Sequence, residues 1–365
     1  MEEEVLTIVK NVKSNEVNMK LIKKILNNFE KDGYKAYVVG GFVRDYLLNK
    51  KSYDIDICTN KVLDNNTYGS KNFKYKKYNI DITTFRKELE YTKRKPTKLI
   101  YVNSLEEDLR RRDFTINAIC MDKNMNIIDL FDGVNDLNNK IIKMIGDPKE
   151  KLKEDPLRIL RAIRFATILD FKIDSNLDKE IIDNILLIKT LSPQRIRTEL
   201  SKILTDKNYL KGITLLNKYK VFEILEITYK ELFYVDNEYG MWAQFETPIN
   251  YGFTKSELVN IINIRQIISN GIIDNHILYK YNLDEILVVI KIFNINQKLI
   301  KNMYKNLPLK TEKELKITSD EIISLLNISN KEISNIKTKL INEILNGNLK
   351  NNKQELKEYL KRNEM

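Results

Sequence analysis

Gly40-Gly41-Phe42-Val43-Arg44-Asp45, followed shortly by Ser52-Tyr53-Asp54-Ile55-Asp56-Ile57-Cys58, is the stretch on which the reading of this chain turns. On a strand, residues two apart face the same side. Asp54 and Asp56 therefore project together, and Ile55 and Ile57 go to the opposite face. Two carboxylates held that close repel one another unless a divalent cation lies between them. Oxygen donors of this kind suit Mg²⁺, which completes its shell with waters and substrate phosphates. The Gly-Gly pair separates an apolar run, Ala36-Tyr37-Val38-Val39, from an amphipathic stretch over 42–48. Glycine there permits a tight turn and lets a phosphate approach the amides of a helix start. A phosphate cradle placed ahead of a metal clamp is the layout of a nucleotidyl-transfer site. Taken alone, Asp-x-Asp also describes a solvated strand edge; the order of the two segments carries the stronger reading.

Two further clusters extend it. Ser104-Leu105-Glu106-Glu107-Asp108-Leu109-Arg110-Arg111-Arg112-Asp113-Phe114-Thr115-Ile116-Asn117-Ala118 opens with a capping box, Ser104 to Glu107. Acidic residues fill its first turn and arginines its last, as the helix dipole favours. A capped surface helix would look the same, except that an apolar segment starts directly after the arginines and draws at least one of them inward. In Glu154-Asp155-Pro156-Leu157-Arg158-Ile159-Leu160-Arg161-Ala162-Ile163-Arg164-Phe165-Ala166, Asp155 and Pro156 read as N-cap and first helical residue. Arg158, Arg161 and Arg164 recur every third residue among bulky apolar neighbours. That describes a partly buried basic stripe in need of anions, for which a triphosphate is the natural partner. The competing reading is a basic face with its side chains reaching to water.

The segments Gly40-Gly41-x-x-Arg44-Asp45, Asp54-x-Asp56, Arg111-Arg112-Asp113-Phe114-Thr115-x-Asn117-Ala118, Phe131-Asp132-Gly133-x-x-Asp136-Leu137 and Glu154-Asp155-Pro156-Leu157-Arg158-x-Leu160-Arg161-Ala162-x-Arg164-Phe165 resemble the successive motifs of the bacterial tRNA nucleotidyltransferase/poly(A) polymerase family, the class II CCA-adding enzymes. Ser192-Pro193-Gln194-Arg195-Ile196-Arg197-x-Glu199-Leu200 is similar, more weakly, to the arginine-bearing helix of that family's neck. The resemblance runs from about residue 36 to about residue 205; the rest matches only in being helical.

It implies an α+β head of the DNA polymerase β-type nucleotidyltransferase fold over 1–150, an all-α neck over 151–215, and a helical body and tail over 216–365. It implies Mg²⁺ on Asp54 and Asp56, and a triphosphate held by Gly41, Arg44, Arg112, Arg161 and Arg164. Asp113 and Asn117 complete the nucleotide site. Asp155 and Arg158 would read the base. Cytosine and adenine both present an amino donor beside a ring-nitrogen acceptor, which an aspartate and an arginine together match. Guanine and uracil present the reverse order, and each mispaired buried group costs about 1–3 kcal/mol. CTP, ATP and the 3′ end of tRNA are the implied partners.

Composition sets bounds. A chain of 365 residues is long for one core and suggests two or more units. Its 62 Lys and Arg exceed 51 Asp and Glu, giving a net charge of +11 that favours a polyanion. An AT-rich genome, enriching lysine, asparagine and isoleucine throughout, would give the same excess. Cys58 and Cys120 lie in apolar contexts and imply no disulfide framework. His276, the sole histidine, excludes a histidine-clustered metal site within the chain. Neither a signal peptide nor a spanning apolar run is present, so a cytoplasmic location is expected.

A helix is expected near residues 18–29 and strands at 35–39, 53–58, 78–85 and 99–102. Helices follow near 155–169, 178–190, 193–205, 207–219, 254–269, 283–305 and 318–346, with a loop over 237–253. The aromatics of that loop, Tyr239, Trp242, Phe245 and Tyr251, suit stacking on RNA or packing between helices. Asp81, in Ile80-Asp81-Ile82, is a third catalytic carboxylate or a solvent-facing strand residue. Two departures from the family stand out. Residues 59–77 are short and lack a His-Gly-Thr-Val-like segment. The 86–98 loop keeps Tyr91, Arg94 and Pro96 of the family's C-to-A switching loop but lacks its aspartate. The expected reaction is CCA addition to tRNA. A CC-adding or A-adding specialist, a poly(A) polymerase and a non-catalytic RNA-binding protein are the alternatives, the last disfavoured by the intact Asp54/Asp56 pair.

Overall fold

The computed structural model describes residues 17–63, 69–92, 95–246 and 251–363. They form two compact units that divide between Leu225 and Glu226.

The first unit is built on a six-stranded sheet. In chain order its strands are β1 (Ala36–Val39), β2 (Asp54–Thr59), β3 (Ser70–Tyr75), β4 (Tyr78–Thr84), β7 (Cys120–Met121) and β8 (Ile127–Ile128), with spatial order β3-β4-β2-β1-β7-β8. β2 runs parallel to β4 and antiparallel to β1, with Asp56 opposite Asp81 and Val39. β2 alternates as the sequence requires, Asp54 exposed and Asp56 half-buried against fully buried Ile55 and Ile57. Helix α1 (Val17–Lys31) precedes the sheet and buries Leu21, Ile22, Ile25 and Leu26. Helix α2 (Gly41–Leu47) leaves β1 through Gly40, whose φ of 81° favours glycine. A Cβ on Gly40 would also come within 3.3 Å of Asp56 Oδ2, so the motif needs a bare backbone there.

Strand β3 is missing from the sequence expectation because it is an edge strand with scattered burial, in which Lys71 and Lys74, three residues apart, break any period-two pattern. The segment expected as a loop over 86–98 is a separate antiparallel ribbon, β5 (Arg86–Thr92) with β6 (Lys95–Tyr101). Its charged sequence has no apolar alternation to announce it. Arg94 lies outside the described residues, and Tyr91 and Pro96 lie outside the described side chains.

Helix α3 (Leu105–Arg110) starts at Ser104, whose side chain accepts from Glu107 N. Helix α4 (Gly133–Asn138) packs on the 3₁₀ turn Thr115–Asn117, and a Cβ on Gly133 would fall 2.3 Å from Thr115 O. Helices α5 (Pro148–Glu154) and α6 (Leu157–Ile168) meet at Asp155-Pro156. The second helix begins at Leu157 with Pro156 at its N-cap, one residue later than expected, but Asp155 still serves its first turn, its Oδ1 accepting from Leu157 N and its carbonyl from Arg158 N. α6 packs on α8 (Pro193–Leu204), and α7 (Ser175–Asn184) passes into a 3₁₀ turn, so the helix expected over 178–190 is shorter and starts earlier.

The second unit is helical. The helix expected over 283–305 is two, Leu283–Ile292 and Gln297–Lys305, divided at Asn294 with φ 53°. The one expected over 318–346 is likewise Ser319–Leu326 and Ile333–Leu345, divided at Asn327, also at φ 53°. Asparagine tolerates this left-handed conformation better than most residues, and it ends helices here as glycine often does. The expected 237–253 loop holds a helix, Glu238–Ala243, and its aromatics are packed: Trp242 is buried, with Phe245, Tyr251 and Phe253 rings around it. Among the described residues no helix is long and apolar enough to cross a membrane.

Candidate active site

Three carboxylates stand on the exposed face of β2 and β4. Asp54 Oδ1 accepts from Asn79 Nδ2 at 2.7 Å, and Asp56 and Asp81 are register partners on adjacent strands. Asp81 therefore sits on the same face as the pair, half-buried beside Asp56. Burial, then the neighbouring Asp81 and Asp54, pushes the Asp56 carboxyl above its ordinary range, and Arg112 opposes them. Burial and Asp54 push Asp81 the same way. Such mutual repulsion is what a bound cation relieves. Among the described residues no group of three or more His, Cys, Asp or Glu side chains is placed to hold a metal ion by itself, so a cation here would rest on the carboxylate pair with other ligands. The donor set fits Mg²⁺ rather than Zn²⁺: two strand carboxylates with room for water and substrate phosphate, and no sulfur or imidazole.

Facing them is an arginine-lined cleft of about 520 Å³ that brings together Gly41, Arg44, Asp54, Asp56, Arg112, Asp113, Asn117, Asp155, Arg158, Arg161 and Arg164. Every expected site residue except Asp81 lines it; Asp81 lines an adjoining cleft that shares Asp56 and Arg112. The side chains form a continuous polar relay. Asp45 Oδ1 accepts from Arg44 Nε and Nη2 at 2.9 and 2.7 Å. Arg44 Nη1 donates to Asn117 Oδ1 at 2.7 Å, Asn117 Nδ2 to Asp113 Oδ1 at 3.1 Å, and Arg161 Nε to Asp113 Oδ2 at 2.7 Å. Burial pushes the Asp113 carboxyl up, but Arg161, the Asn117 amide and the Phe114 N–H outweigh it and hold it below the usual range.

Arg112 is half-buried against Asp108, which also accepts from Arg111 Nε and from Arg86 N. Burial alone would lower the Arg112 pKa; Asp108 and its other neighbours raise it instead. Its Nε is buried with no hydrogen-bond partner among the described residues. Arg164 Nε lies 2.6 Å from Glu199 Oε2, an ion pair whose N–H is poorly aligned, and burial lowers its pKa.

Arg158 is buried. Its Nη1 donates to Lys151 O and Glu154 Oε2 and its Nη2 to Arg111 O, at 2.8, 3.0 and 3.1 Å. Those bonds use three of a guanidinium's five N–H donors, so base contact falls to the remainder.

Sequence reasoning named the arginines but missed what holds them: Asp45, Asp108, Glu199 and, most of all, Phe165. The guanidiniums of Arg44, Arg161 and Arg164 lie 5.2, 5.4 and 4.1 Å from the Phe165 ring centroid. Attraction to the electron-rich ring thus offsets part of the repulsion among three converging like charges. Its position directly after Arg164 was the available signal. Phe165→Leu, which keeps the burial but removes the ring, is expected to weaken apparent binding of CTP and ATP equally, by about tenfold. Phe165→Tyr should restore it. Steady-state kinetics with each nucleotide check this, and a change in the CTP/ATP ratio would contradict it.

A model of the Poly A polymerase head domain matches residues 36–143, and one described as the probable RNA and SrmB-binding site of polymerase A matches 170–230. The CCA-adding enzyme of Staphylococcus haemolyticus is 32% identical, with 93% of this chain and 97% of the relative covered. That of Ligilactobacillus salivarius is also 32% identical, over 93% and 95%. The fold is similar to the crystal structure of the Bacillus stearothermophilus CCA-adding enzyme in complex with CTP (TM-score 0.80, 24% identity, 93% and 96% covered). It is similar also to the Thermotoga maritima CCA-adding enzyme complexed with tRNA-CCA (TM-score 0.66, 22% identity, 98% of each chain).

Proposed function

The chain belongs to the family of CCA-adding enzymes, and from that premise we propose how its cleft adds CTP and ATP to the 3′ end of tRNA without a nucleic-acid template. The observation that carries the assignment of roles is the convergence of the Asp54/Asp56 pair and six arginines, Arg44, Arg111, Arg112, Arg158, Arg161 and Arg164, on one cleft. In the reaction the tRNA 3′-oxygen forms a bond to the α-phosphorus, the bond from that phosphorus to the bridging oxygen breaks, and pyrophosphate leaves.

Divalent-metal dependence is general in the family, and Mg²⁺ held by Asp54 and Asp56 would supply charge neutralisation at the attacking and leaving oxygens. The residues of the chain do the rest. Arg161 and Arg164 present cationic donors to the triphosphate, with Arg112 as a further positive charge on the cleft wall. Arg44, buried and bonded on both sides, anchors the relay through Asn117 and Asp113 that fixes Arg161. Fixed donors cost little reorganisation as charge shifts toward the pyrophosphate. Asp81, beside Asp56, positions the attacking hydroxyl. Asp155 and Arg158 match the hydrogen-bonding edge shared by cytosine and adenine.

The assigned domains follow: a catalytic head over 1–150, a base-reading neck over 151–215, and a tRNA-binding body and tail over 216–365. The cytoplasm, where tRNA matures in a bacterium, is the proposed location.

Base choice gives a direct test. Asp155→Ala is expected to let UTP and GTP gain on CTP by at least about tenfold in relative kcat/KM, since one mispaired group is worth about 1–3 kcal/mol. Arg158→Ala should do likewise, with added loss of stability from the Lys151, Glu154 and Arg111 contacts. Single-nucleotide incorporation with each labelled triphosphate reads this out. A uniform loss with the nucleotide ranking unchanged would remove the base-reading role.

A further inference from the structure

Beside the catalytic cleft, and sharing Phe42 and Ser52 with it, lies a second depression of about 840 Å³. Lys20, Lys50, Lys51 and Lys77 line it together with Tyr46 and Tyr53, and among the described residues no carboxylate does. Tyr46 is 46% and Tyr53 40% exposed, unusual for large rings in a unit whose other aromatics are mostly packed. Lys77 Nζ lies 4.7 Å from the Tyr53 ring centroid and 5.6 Å from that of Tyr78. Tyr53 and Tyr78 are themselves 5.8 Å apart.

The lysines are placed by the same elements that place the catalytic groups. Asn49 turns the chain at φ 55° after α2, and Lys50 N donates to Asp45 O at 2.8 Å. Asp45 holds Arg44 in the catalytic cleft. Lys50-Lys51-Ser52-Tyr53 then leads directly into Asp54 at the start of β2. A cationic, tyrosine-bearing trough is thereby fixed in register with the catalytic carboxylates.

Lysines scattered over a surface signify little in a chain this basic. Clustering without acids, alternation with exposed rings, and continuity with a nucleotidyl-transfer cleft are more specific. Lysines meet phosphates, and exposed tyrosine faces accept unpaired bases with little sequence preference. We infer that this trough is a binding path for the substrate RNA, taking its backbone on Lys50, Lys51 and Lys77 and an unpaired base on Tyr53 as the chain leads to the catalytic carboxylates. The inference rests on the proposed nucleotidyl transfer for its choice of RNA as occupant.

The test compares the full-length wild type with Lys50→Gln/Lys51→Gln/Lys77→Gln and with Tyr53→Leu. The probes are a tRNA transcript lacking its terminal CCA, titrated across a range of salt, and CTP alone. The triple variant should bind the transcript at least about tenfold more weakly, with a log–log salt slope shallower by about 2 to 3, roughly one for each phosphate no longer neutralised. Tyr53→Leu should weaken binding several-fold with the slope unchanged. CTP affinity should be unaffected in both. An unchanged transcript affinity and slope would overturn the inference, as would a parallel fall in CTP affinity. A wild type that binds the transcript through these lysines yet incorporates no nucleotide would leave the path standing and remove the catalytic reading instead.

Discussion

Replacing either Asp54 or Asp56 by alanine is expected to abolish incorporation of CTP and ATP alike, by at least about a thousandfold, with tRNA affinity within a few-fold of wild type. The two side chains share one face of β2, and the hydrogen bond to Asp54 comes from Asn79 on β4, outside the arginine relay. Their removal takes away the cation site and leaves the relay from Asp45 to Arg161 in place. The effect should fall equally on both nucleotides, because the chemistry at the α-phosphorus is common to them. Asn79 donates to Asp54, so Asp54→Asn keeps the shape but not the charge; it should be almost as inactive as Asp54→Ala. Rates with each nucleotide, beside a tRNA binding isotherm, check this. Loss of one nucleotide only would show that the pair is not the shared clamp.

The second large effect is expected at Asp113. It accepts from Asn117 on one side and, across 48 residues of sequence, from Arg161 on the other, and is 8% exposed. Asp113→Ala leaves a largely buried guanidinium without its anion, which costs about 3 kcal/mol, the low end for a broken buried pair because the Arg161 side chain remains 32% exposed. Triphosphate binding should weaken with it, since Arg161 loses its fixed direction. The pH dependence follows from the depressed Asp113 carboxyl. A carboxyl lower in the folded than in the unfolded state stabilises fully above its unfolded pKa, about 3.9, and loses that contribution as pH falls through the folded value. The gap in urea midpoint between wild type and Asp113→Asn should therefore be largest near neutrality and close as the solution is acidified below about pH 4. A gap that stays constant would place the stabilisation elsewhere.

What could be read in the sequence was local. The Asp54-Ile55-Asp56-Ile57 alternation, the glycine turn at Gly40 and the capping by Ser104 and Asp155 each depend on a few adjacent residues, and each is realised, the helix after Asp155 starting one residue late. The every-third-residue spacing of Arg158, Arg161 and Arg164 also placed all three in the cleft. The partners of those arginines could not be read the same way. Arg44 meets Asn117 across 73 residues, and Arg158 meets the carbonyl of Arg111 across 47. Asp108 and Glu199 look, in sequence, like ordinary helix acids; folding buries them as counter-ions. Elements without apolar rhythm were lost for a related reason. Strand β3 lies at a sheet edge, the β5–β6 ribbon is charged along much of its length, and the breaks at Asn294 and Asn327 depend on single left-handed residues that periodicity overlooks.

The central claim, that one cleft reads C and A from protein side chains and joins them to tRNA, is tested most directly by product ladders. Purified protein is given tRNA transcripts ending before the first C, after CC, and with full CCA, and each labelled nucleotide singly or CTP with ATP together. The account predicts two C additions to the first transcript with CTP alone and a single A on the CC end with ATP. It predicts a ladder that stops at CCA with both, and nothing from UTP or GTP. A ladder that never passes CC, long A tails, or incorporation of all four nucleotides would contradict it.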